Sequence, residues 1–359
     1  MKAKINTKNV FVEISGRCNA KCTYCAQSRL KEGNYFGEMM TAALFEQVLD
    51  HLFKTGILNK DVNYIDCYNW GEPLLNPKIN EILQILKDKK LKVGISSNFI
   101  NAPRINKELL PVINNVLLSI SGFTQESYGK IHAAPLDKTL NNFKNFYEDM
   151  RKYSPQTPVW VRWHRYLFNE QEFWDAHKYF NRLGIPVKPV IAYLNDYVKM
   201  QKFVNGELPQ DEISKIEKDI FLDSIKESIL FHKKKSKNYY CPEWDAIVVD
   251  ETGQLLVCCG YTRYDSGSGL GNILDISLEE IFNKKSSALL CDGCISSGLA
   301  RWAHHLDLSL PPGGGVYGFN ARIYHNFKKT CYGLIKTIPY AYSEKIIRTL
   351  KQAVSNRIR

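Results

Sequence analysis

Apolar and polar positions along the first 194 residues alternate between a period near two and a period near four, and the two patterns follow each other six times. Val10-Phe11-Val12-Glu13-Ile14-Ser15 is an apolar-rich run that predicts a first strand. Leu44, Val48 and Leu52 then recur at four-residue spacing with Phe45 and Leu49 beside them, one face of a helix from about Thr41 to Thr55. A second strand is predicted over Val62 to Tyr68, followed by a helix carrying Ile79, Ile82, Leu83 and Leu86. The strand Leu91 to Ser96 leads through the turn Ser97-Asn98-Phe99 to a short helix near Ile105 to Val112. Further strands are expected at Val116–Ser121, Val159–His164 and Pro186–Ile191, with helices around Leu140–Met150 and along Phe173, Ala176, His177 and Phe180, the last closed by Gly184.

Six strand-helix alternations require parallel pairing through right-handed crossovers, hence an α/β fold with an open or partial (βα)6 barrel. Sites in such folds lie at the carboxyl ends of the strands. Past Leu194 the pattern changes. A polar connection and an amphipathic helix with Ile213, Ile216, Ile220, Ile225 and Ile229 end in Lys233-Lys234-Lys235, and read as a covering linker. Strand-like Trp244–Val249, a turn at Glu251-Thr252-Gly253, strand-like Gln254–Val257 and a short helix near Leu278–Phe282 form a second unit. The chain therefore divides into residues 1–194, 195–240, 241–294 and 295–359.

Charge changes this picture only at the end of the chain. Residues 295–359 hold five lysines and five arginines against Asp307 and Glu344, so this tail carries +8 of the net +11. The tail interleaves Tyr317, Phe319, Tyr324, Phe327, Tyr332 and Tyr340 with lysines, after Pro311-Pro312-Gly313-Gly314-Gly315. That composition fits a solvated face with a docking helix. It also suits peripheral contact with a bilayer, or an anionic, lipid-linked or nucleotide-linked substrate. No nucleic-acid partner is expected. No apolar run approaches the roughly 18 residues of a membrane span, and no secretory signal is read at the start. A cytoplasmic protein is expected, in which ten cysteines are metal ligands or reactive groups before they are disulfides.

Three of those cysteines, Cys18, Cys22 and Cys25, lie within eight positions at the carboxyl end of the first predicted strand. Structural zinc wants four protein ligands, and this loop holds no fourth Cys or His. Three thiolates on one loop instead suit three irons of a cubane, which leaves the fourth iron open to substrate or cofactor. Cys18-x3-Cys22-x2-Cys25, with aromatic Tyr24 before the last cysteine, resembles the signature of the radical S-adenosylmethionine (SAM) enzymes. The resemblance implies a [4Fe-4S] cluster whose open iron chelates SAM, and reductive cleavage of SAM to a 5′-deoxyadenosyl radical. It further implies that the edge Trp70-Gly71-Glu72-Pro73 holds the methionine amino group, although Trp70 stands where the family often has a glycine. By the same resemblance, Asn98 marks the family's third-strand turn, and Ser119, Ser121 and Arg162 are candidates for the ribose and carboxylate of SAM. Neither serine is the acidic residue often found there. His164 shares a strand face with Trp160 and Arg162.

A second set of cysteines follows: Cys241, the doublet Cys258-Cys259, and Cys291-x2-Cys294. Four thiolates of this kind suit zinc or an iron-sulfur cluster. Cys-x11-Gly253-x4-Cys, then Gly271-Asn272-Ile273, then Cys-x2-Cys resembles the twitch domain, the shortened form of SPASM, which implies one fully ligated auxiliary [4Fe-4S] cluster. The glycine spacing selects Cys258, with Cys259 either the ligand or a free thiol near the active site. Cys67 reads as a small buried hydrophobe or as a hydrogen-atom donor to a substrate radical, with Cys259 and Cys331 as rivals.

The expected reaction is hydrogen abstraction from a carbohydrate or related small polar metabolite, by epimerisation or dehydrogenation, in antibiotic or surface-polysaccharide synthesis. An external electron donor such as flavodoxin or ferredoxin is implied. Peptide modifiers of the family often carry a leader-binding domain before the barrel, and strand one already begins near Val10, so modification of a ribosomally made peptide stands second. An electron-transfer or structural metal-binding protein is the non-enzymatic alternative.

Overall fold

In the computed structural model, which describes residues 9–33, 36–59 and 64–305, the period-two segments pair into one sheet. Its strands are β1 (Val10–Val12), β2 (Tyr64–Asp66), β3 (Lys92–Ser97), β4 (Ile113–Ser119), β5 (Val159–Arg165), β6 (Val187–Ile191), β7 (Ile247–Val249), β8 (Gln254–Leu256) and β9 (Gly269–Asn272). They run in the order β6-β5-β4-β3-β2-β1-β7-β8-β9, with β1 to β6 all parallel. β6 and β9 are edges, so the six-stranded part is an open barrel.

The sequence pattern makes one face of each strand apolar, and that face meets the helices. Ile65, Val93, Ile95, Val116, Leu118, Val161 and Trp163 are buried in one core with Phe45, Val48, Leu49 and Leu52 of helix Ala42–Lys54 and Ile82, Leu83 and Leu86 of helix Ile79–Asp88. Each such side chain contributes about 1.5–3 kcal/mol by leaving water. Thr41 caps the first of these helices by accepting from the Leu44 N–H at 3.1 Å. The opposite, inner face of the sheet carries the polar positions: Asp66 of β2, Ser119 of β4, Trp160, Arg162 and His164 of β5 and Lys188 of β6 all escape full burial.

Several boundaries differ from the sequence reading. β4 begins at Ile113 and ends at Ser119, leaving Ser121 in the following loop. The short helix before it is a 3-10 helix, Lys107–Val112, because Pro111 inside it cannot donate to an α-helical ladder. The linker is three helices, Tyr197–Asn205, Gln210–Ile216 and Leu222–Lys233. Their buried Met200, Phe203, Ile216, Ile225 and Ile229 share a core with Leu299 and Trp302. Two further helices, Leu289–Ser297 and Leu299–His304, join at Gly298, whose φ of +88° suits a residue without Cβ.

The second cysteine-bearing segment is continuous with the barrel sheet. β7 pairs in parallel with β1, and β8 and β9 extend it antiparallel. Val62 and Asn63 of the predicted second strand lie outside the described residues, as do Cys331 and the aromatic and basic positions from residue 306 onward.

Candidate active site

The three-cysteine loop leaves β1 at its carboxyl end and is held from several sides. Gln27 Nε2 donates to Gly16 O at 3.0 Å, and Arg17 Nε to Gly37 O at 2.7 Å. Cys25 is the N-cap of helix Ala26–Glu32, and Ser28 Oγ donates to Cys22 O at 2.6 Å. The last turn of helix Gln125–His132 has orphan carbonyls, as every helix end does. The loop satisfies them: Lys21 N donates to His132 O at 3.1 Å and Thr23 N to Ile131 O at 3.3 Å. That helix is fixed at its start by Glu172, which accepts from Phe123 N and Ser127 Oγ, both at 2.5 Å.

The thiols of Cys18, Cys22 and Cys25 are free and close enough to raise one another's pKa. Burial pushes Cys18 up to about 11 and Cys25 up to about 12, and holds Cys22 well above the ordinary thiol range. Thiols in this setting ionise only against a cation, which iron supplies. Two N–H donors stand by the sulfurs. Asn98 Nδ2 lies 3.6 Å from Cys18 Sγ, and His132 Nδ1 lies 3.3 Å from Cys22 Sγ. Among the described residues no three His, Cys, Asp or Glu side chains gather closely enough for a single metal ion. Thiolates that each take a different iron of a cubane need no such convergence. The donor set therefore fits an iron-sulfur cluster.

Tyr24 donates its hydroxyl to Asp219 Oδ2 at 2.8 Å and stacks on Tyr166 at 6.0 Å, so its phenol is engaged with the helical linker. Beside Cys25 a cavity of about 270 Å³ is lined by Tyr24, Arg29, Asp196, Lys199 and Lys202.

The Gly71-Glu72-Pro73 edge packs directly on the cysteine loop. A Cβ on Gly71 would collide with Ser15 O and Arg17 O, so only glycine allows the approach. The N–H groups of Trp70 and Gly71 both donate to Glu13 Oε1, at 2.7 and 2.6 Å, and the Trp70 indole donates to Tyr261 O at 3.1 Å. Burial, helped by the nearby Glu251, raises the Glu13 carboxyl to about 8. Glu72 is buried, its carboxyl raised by burial to about 7, and it accepts from Asn98 N at 2.8 Å and Leu74 N at 3.1 Å. Glu72 thus joins the second-strand edge to the third-strand turn, and Asn98 sits beside Cys18.

The inner-face residues divide. Arg162 is exposed on β5, in register with Ser119 of β4 and Lys188 of β6, and the Lys188 ammonium lies over Trp160 at 4.5 Å. Ser121, by contrast, is fully buried. Its Oγ accepts from His164 N at 2.9 Å and lies 3.2 Å from His164 Nδ1, while its N–H donates to His132 Nε2 at 3.2 Å. Its hydroxyl is committed to His164 and is not presented to a cofactor ribose. Cys67 follows β2 on the side of Ile65 and is packed in the apolar core, away from the inner face. That position is the one expected of a small buried hydrophobe.

The second cysteine set is drawn together. Cys291 raises the pKa of Cys241, Cys241 and Cys291 raise that of Cys294, and Cys294 raises that of Cys258. Burial pushes Cys241 and Cys294 up to about 12. Among them lies Lys285, fully buried, with Nζ donating to Glu243 O at 2.7 Å and to Ala246 O. A fully buried lysine is rare without an anionic partner, and burial lowers the pKa of this one. Cys259 is half-buried, in the field of Tyr68 and Tyr193, which also sense Arg162. It therefore borders the inner face.

Sequence reasoning missed His132, Glu13 and Lys285. Glu13 alone left a signal, as a charge inside an apolar strand.

A model of the radical SAM superfamily matches residues 12–199. The chain belongs to the radical SAM superfamily. Membership implies SAM and a [4Fe-4S] cluster as cofactors. A probable GTP 3′,8-cyclase of Methanococcus maripaludis strain C5 is 25% identical over 122 residues, which make up 33% of this chain and 38% of that protein. The match thus spans well under two thirds of that relative. Among solved structures, anSMEcpe with bound AdoMet aligns over 90% of this chain and 97% of its own, at a TM-score of 0.52 and 17% identity. SuiB of Streptococcus suis, bound to precursor peptide SuiA, aligns over 78% of this chain and 66% of its own, at 0.50 and 15%. These likenesses show the shared α/β fold with its parallel central sheet. Among the described residues no helix is long and apolar enough to cross a membrane.

Proposed function

We propose that this radical SAM enzyme removes a hydrogen atom from a carbohydrate or related small polar metabolite, in an epimerisation or a dehydrogenation. Cys18, Cys22 and Cys25 hold the [4Fe-4S] cluster, and the Gly71-Glu72-Pro73 edge, Asn98, Ser119 and Arg162 line the SAM site. When bound, SAM and the cluster supply a 5′-deoxyadenosyl radical. Cys241, Cys258, Cys291 and Cys294 hold an auxiliary [4Fe-4S] cluster, with Lys285 offsetting its negative charge. Cys259, left out of that set, is the candidate hydrogen-atom donor. The observation that carries the substrate reading is the polar inner face, which holds Asp66, Arg162 and Lys188, the last over the Trp160 ring, and suits a hydroxylated, charged ligand. An external electron donor of the flavodoxin or ferredoxin kind would supply the electron.

A second reading is modification of a ribosomally made peptide, which the likeness to SuiB bound to its precursor peptide favours. Anaerobic reconstitution tests the cofactor assignment. The chain is expected to bind about eight irons in two cubanes and to release 5′-deoxyadenosine from SAM under reduction. Replacing Cys18, Cys22 and Cys25 together by Ala should abolish release, whereas replacing Cys241 and Cys294 should remove about half the iron. Release that survives the triple substitution overturns the assignment. Deuterium transfer into 5′-deoxyadenosine from labelled peptides, and from none of a panel of labelled sugars and cyclitols, replaces the first substrate reading by the second.

A further inference from the structure

We propose that His132 is a positioning residue that donates its Nδ1–H to Cys22 Sγ and so eases reduction of the cluster held by the three-cysteine loop. The inference rests on Cys18, Cys22 and Cys25 as the cluster ligands.

The tautomer follows from the contacts. Ser121 N lies 3.2 Å from His132 Nε2, and a backbone amide can only donate. Nε2 therefore presents its lone pair. An imidazole with Nε2 unprotonated carries its hydrogen on Nδ1, and Nδ1 lies 3.3 Å from Cys22 Sγ. The reverse tautomer would set two hydrogens against each other at Ser121. When Cys22 is a thiolate bound to iron, its sulfur is an acceptor and the contact is an N–H···S hydrogen bond.

The ring has little freedom to leave. His132 is 4% exposed, its ring lies 4.6 Å from that of Tyr128, and its carbonyl accepts from Lys21 N, one residue before Cys22. Gly122 admits the close passage of this helix, because a Cβ there would collide with Tyr128 N and Ser127 Oγ. Donor and sulfur are thus tied to the same backbone, so the bond persists as the loop takes up iron. Asn98 Nδ2 gives Cys18 Sγ a longer contact, at 3.6 Å.

Hydrogen bonds to ligand sulfurs help set a cluster's potential, because they stabilise the more negative, reduced state. Removing the His132 donor makes the cluster harder to reduce. His132→Phe keeps the ring and loses the N–H. In His132→Asn the Nδ2–H group stands where Nδ1–H stood and restores the donor. Midpoint potentials are read by EPR-monitored titration of the reconstituted full chain, following the reduced-state signal that changes when SAM is added. In His132→Phe the reduced-to-oxidised ratio at a fixed potential should fall about tenfold, a negative shift of about 59 mV for one electron. His132→Asn should lie near wild type, and iron per chain should be unchanged in both.

Equal potentials in wild type and His132→Phe at equal iron content overturn the proposal. So does iron loss in both variants, which marks a purely structural role. If His132→Phe alone fails to load, the wild-type chain labelled with ¹⁵N-histidine decides by pulsed EPR. A histidine nitrogen coupled to the reduced cluster supports the hydrogen bond, and its absence refutes it. Absence of any SAM-responsive cluster in the wild-type chain overturns the ligand assignment and this inference together.

Discussion

Glu13 offers the sharpest test of how the cofactor edge is held. Its Oε1 accepts both the Trp70 and Gly71 N–H groups, at 2.7 and 2.6 Å, inside a carboxyl that is 3% exposed. Glu13→Ala strands two buried amides at about 1–3 kcal/mol each, a loss of roughly 2–6 kcal/mol. Glu13→Gln keeps an oxygen at the same place. Because the folded-state carboxyl is raised from 4.5 to about 8, it is neutral at pH 6, and Gln is an isostere of that form. Glu13→Gln should therefore lie within about 1 kcal/mol of wild type at pH 4.5 and below, a margin smaller than one unmade buried hydrogen bond, and should gain on wild type as pH rises, because the unfolded wild type there releases a proton that the folded carboxyl keeps. The pH dependence has a fixed sign. Between about 4.5 and 8 the folded state keeps a proton that the unfolded state has released, so the contribution of Glu13 is full below 4.5 and falls as pH rises through 8. Buried His132 and His164, lowered to about 4 and about 3, act in the opposite sense below 6.5. The difference between wild type and Glu13→Gln cancels them. Denaturant unfolding from pH 4.5 to 8, together with hydrogen exchange at residues 70 and 71, reads both effects. Equal losses in the Ala and Gln variants, or a wild type that gains on Glu13→Gln as pH rises, refute the reasoning.

Two further substitutions address the placement of the loops and of Cys67. Gly71→Ala forces backbone against backbone at Ser15 O and Arg17 O, so a loss of about 1–3 kcal/mol or more and weakened SAM binding are expected by unfolding and equilibrium dialysis. A variant with wild-type stability and affinity contradicts that close approach. Cys67→Ala should cost about 1 kcal/mol in stability and Cys67→Ser about 1–3 kcal/mol more, because a hydroxyl enters an apolar core. Turnover per folded molecule should survive in both. A stable Cys67→Ala protein without turnover would return Cys67 to the reaction.

The six parallel strands and the cysteine loop were legible in the sequence because each depends on local pattern. Period-two and period-four runs identify the elements, and six alternations leave few topologies. The contacts around the loop were not legible, because they join residues far apart in sequence. His132 lies 110 positions from Cys22, and the Trp70 indole reaches a carbonyl 191 positions away. Lys285 carries no local signal, because its ammonium meets the Glu243 and Ala246 carbonyls, 42 and 39 positions away. Ser121 followed the strand alternation on paper, yet β4 ends at Ser119, so the alternation no longer governs it.

The doublet Cys258-Cys259 shows how topology resolves what spacing leaves open. The doublet follows the end of β8 at Leu256, where strand alternation no longer applies, so the surroundings of each thiol have to distinguish them. Cys258 lies near Cys294, and its Sγ accepts from Gly260 N at 3.4 Å. Cys259 is hydrogen-bonded to Glu243 and lies near Lys285, and it is also within reach of Tyr68 and Tyr193. That division depends on β7 pairing with β1, because a second unit detached from the barrel would place neither thiol near β2. The continuous sheet therefore sets the buried thiols and Cys259 side by side, with Cys259 in reach of Tyr68 and Tyr193 beside the inner face. A donor to a substrate radical and a source of the electron that restores it would need that arrangement.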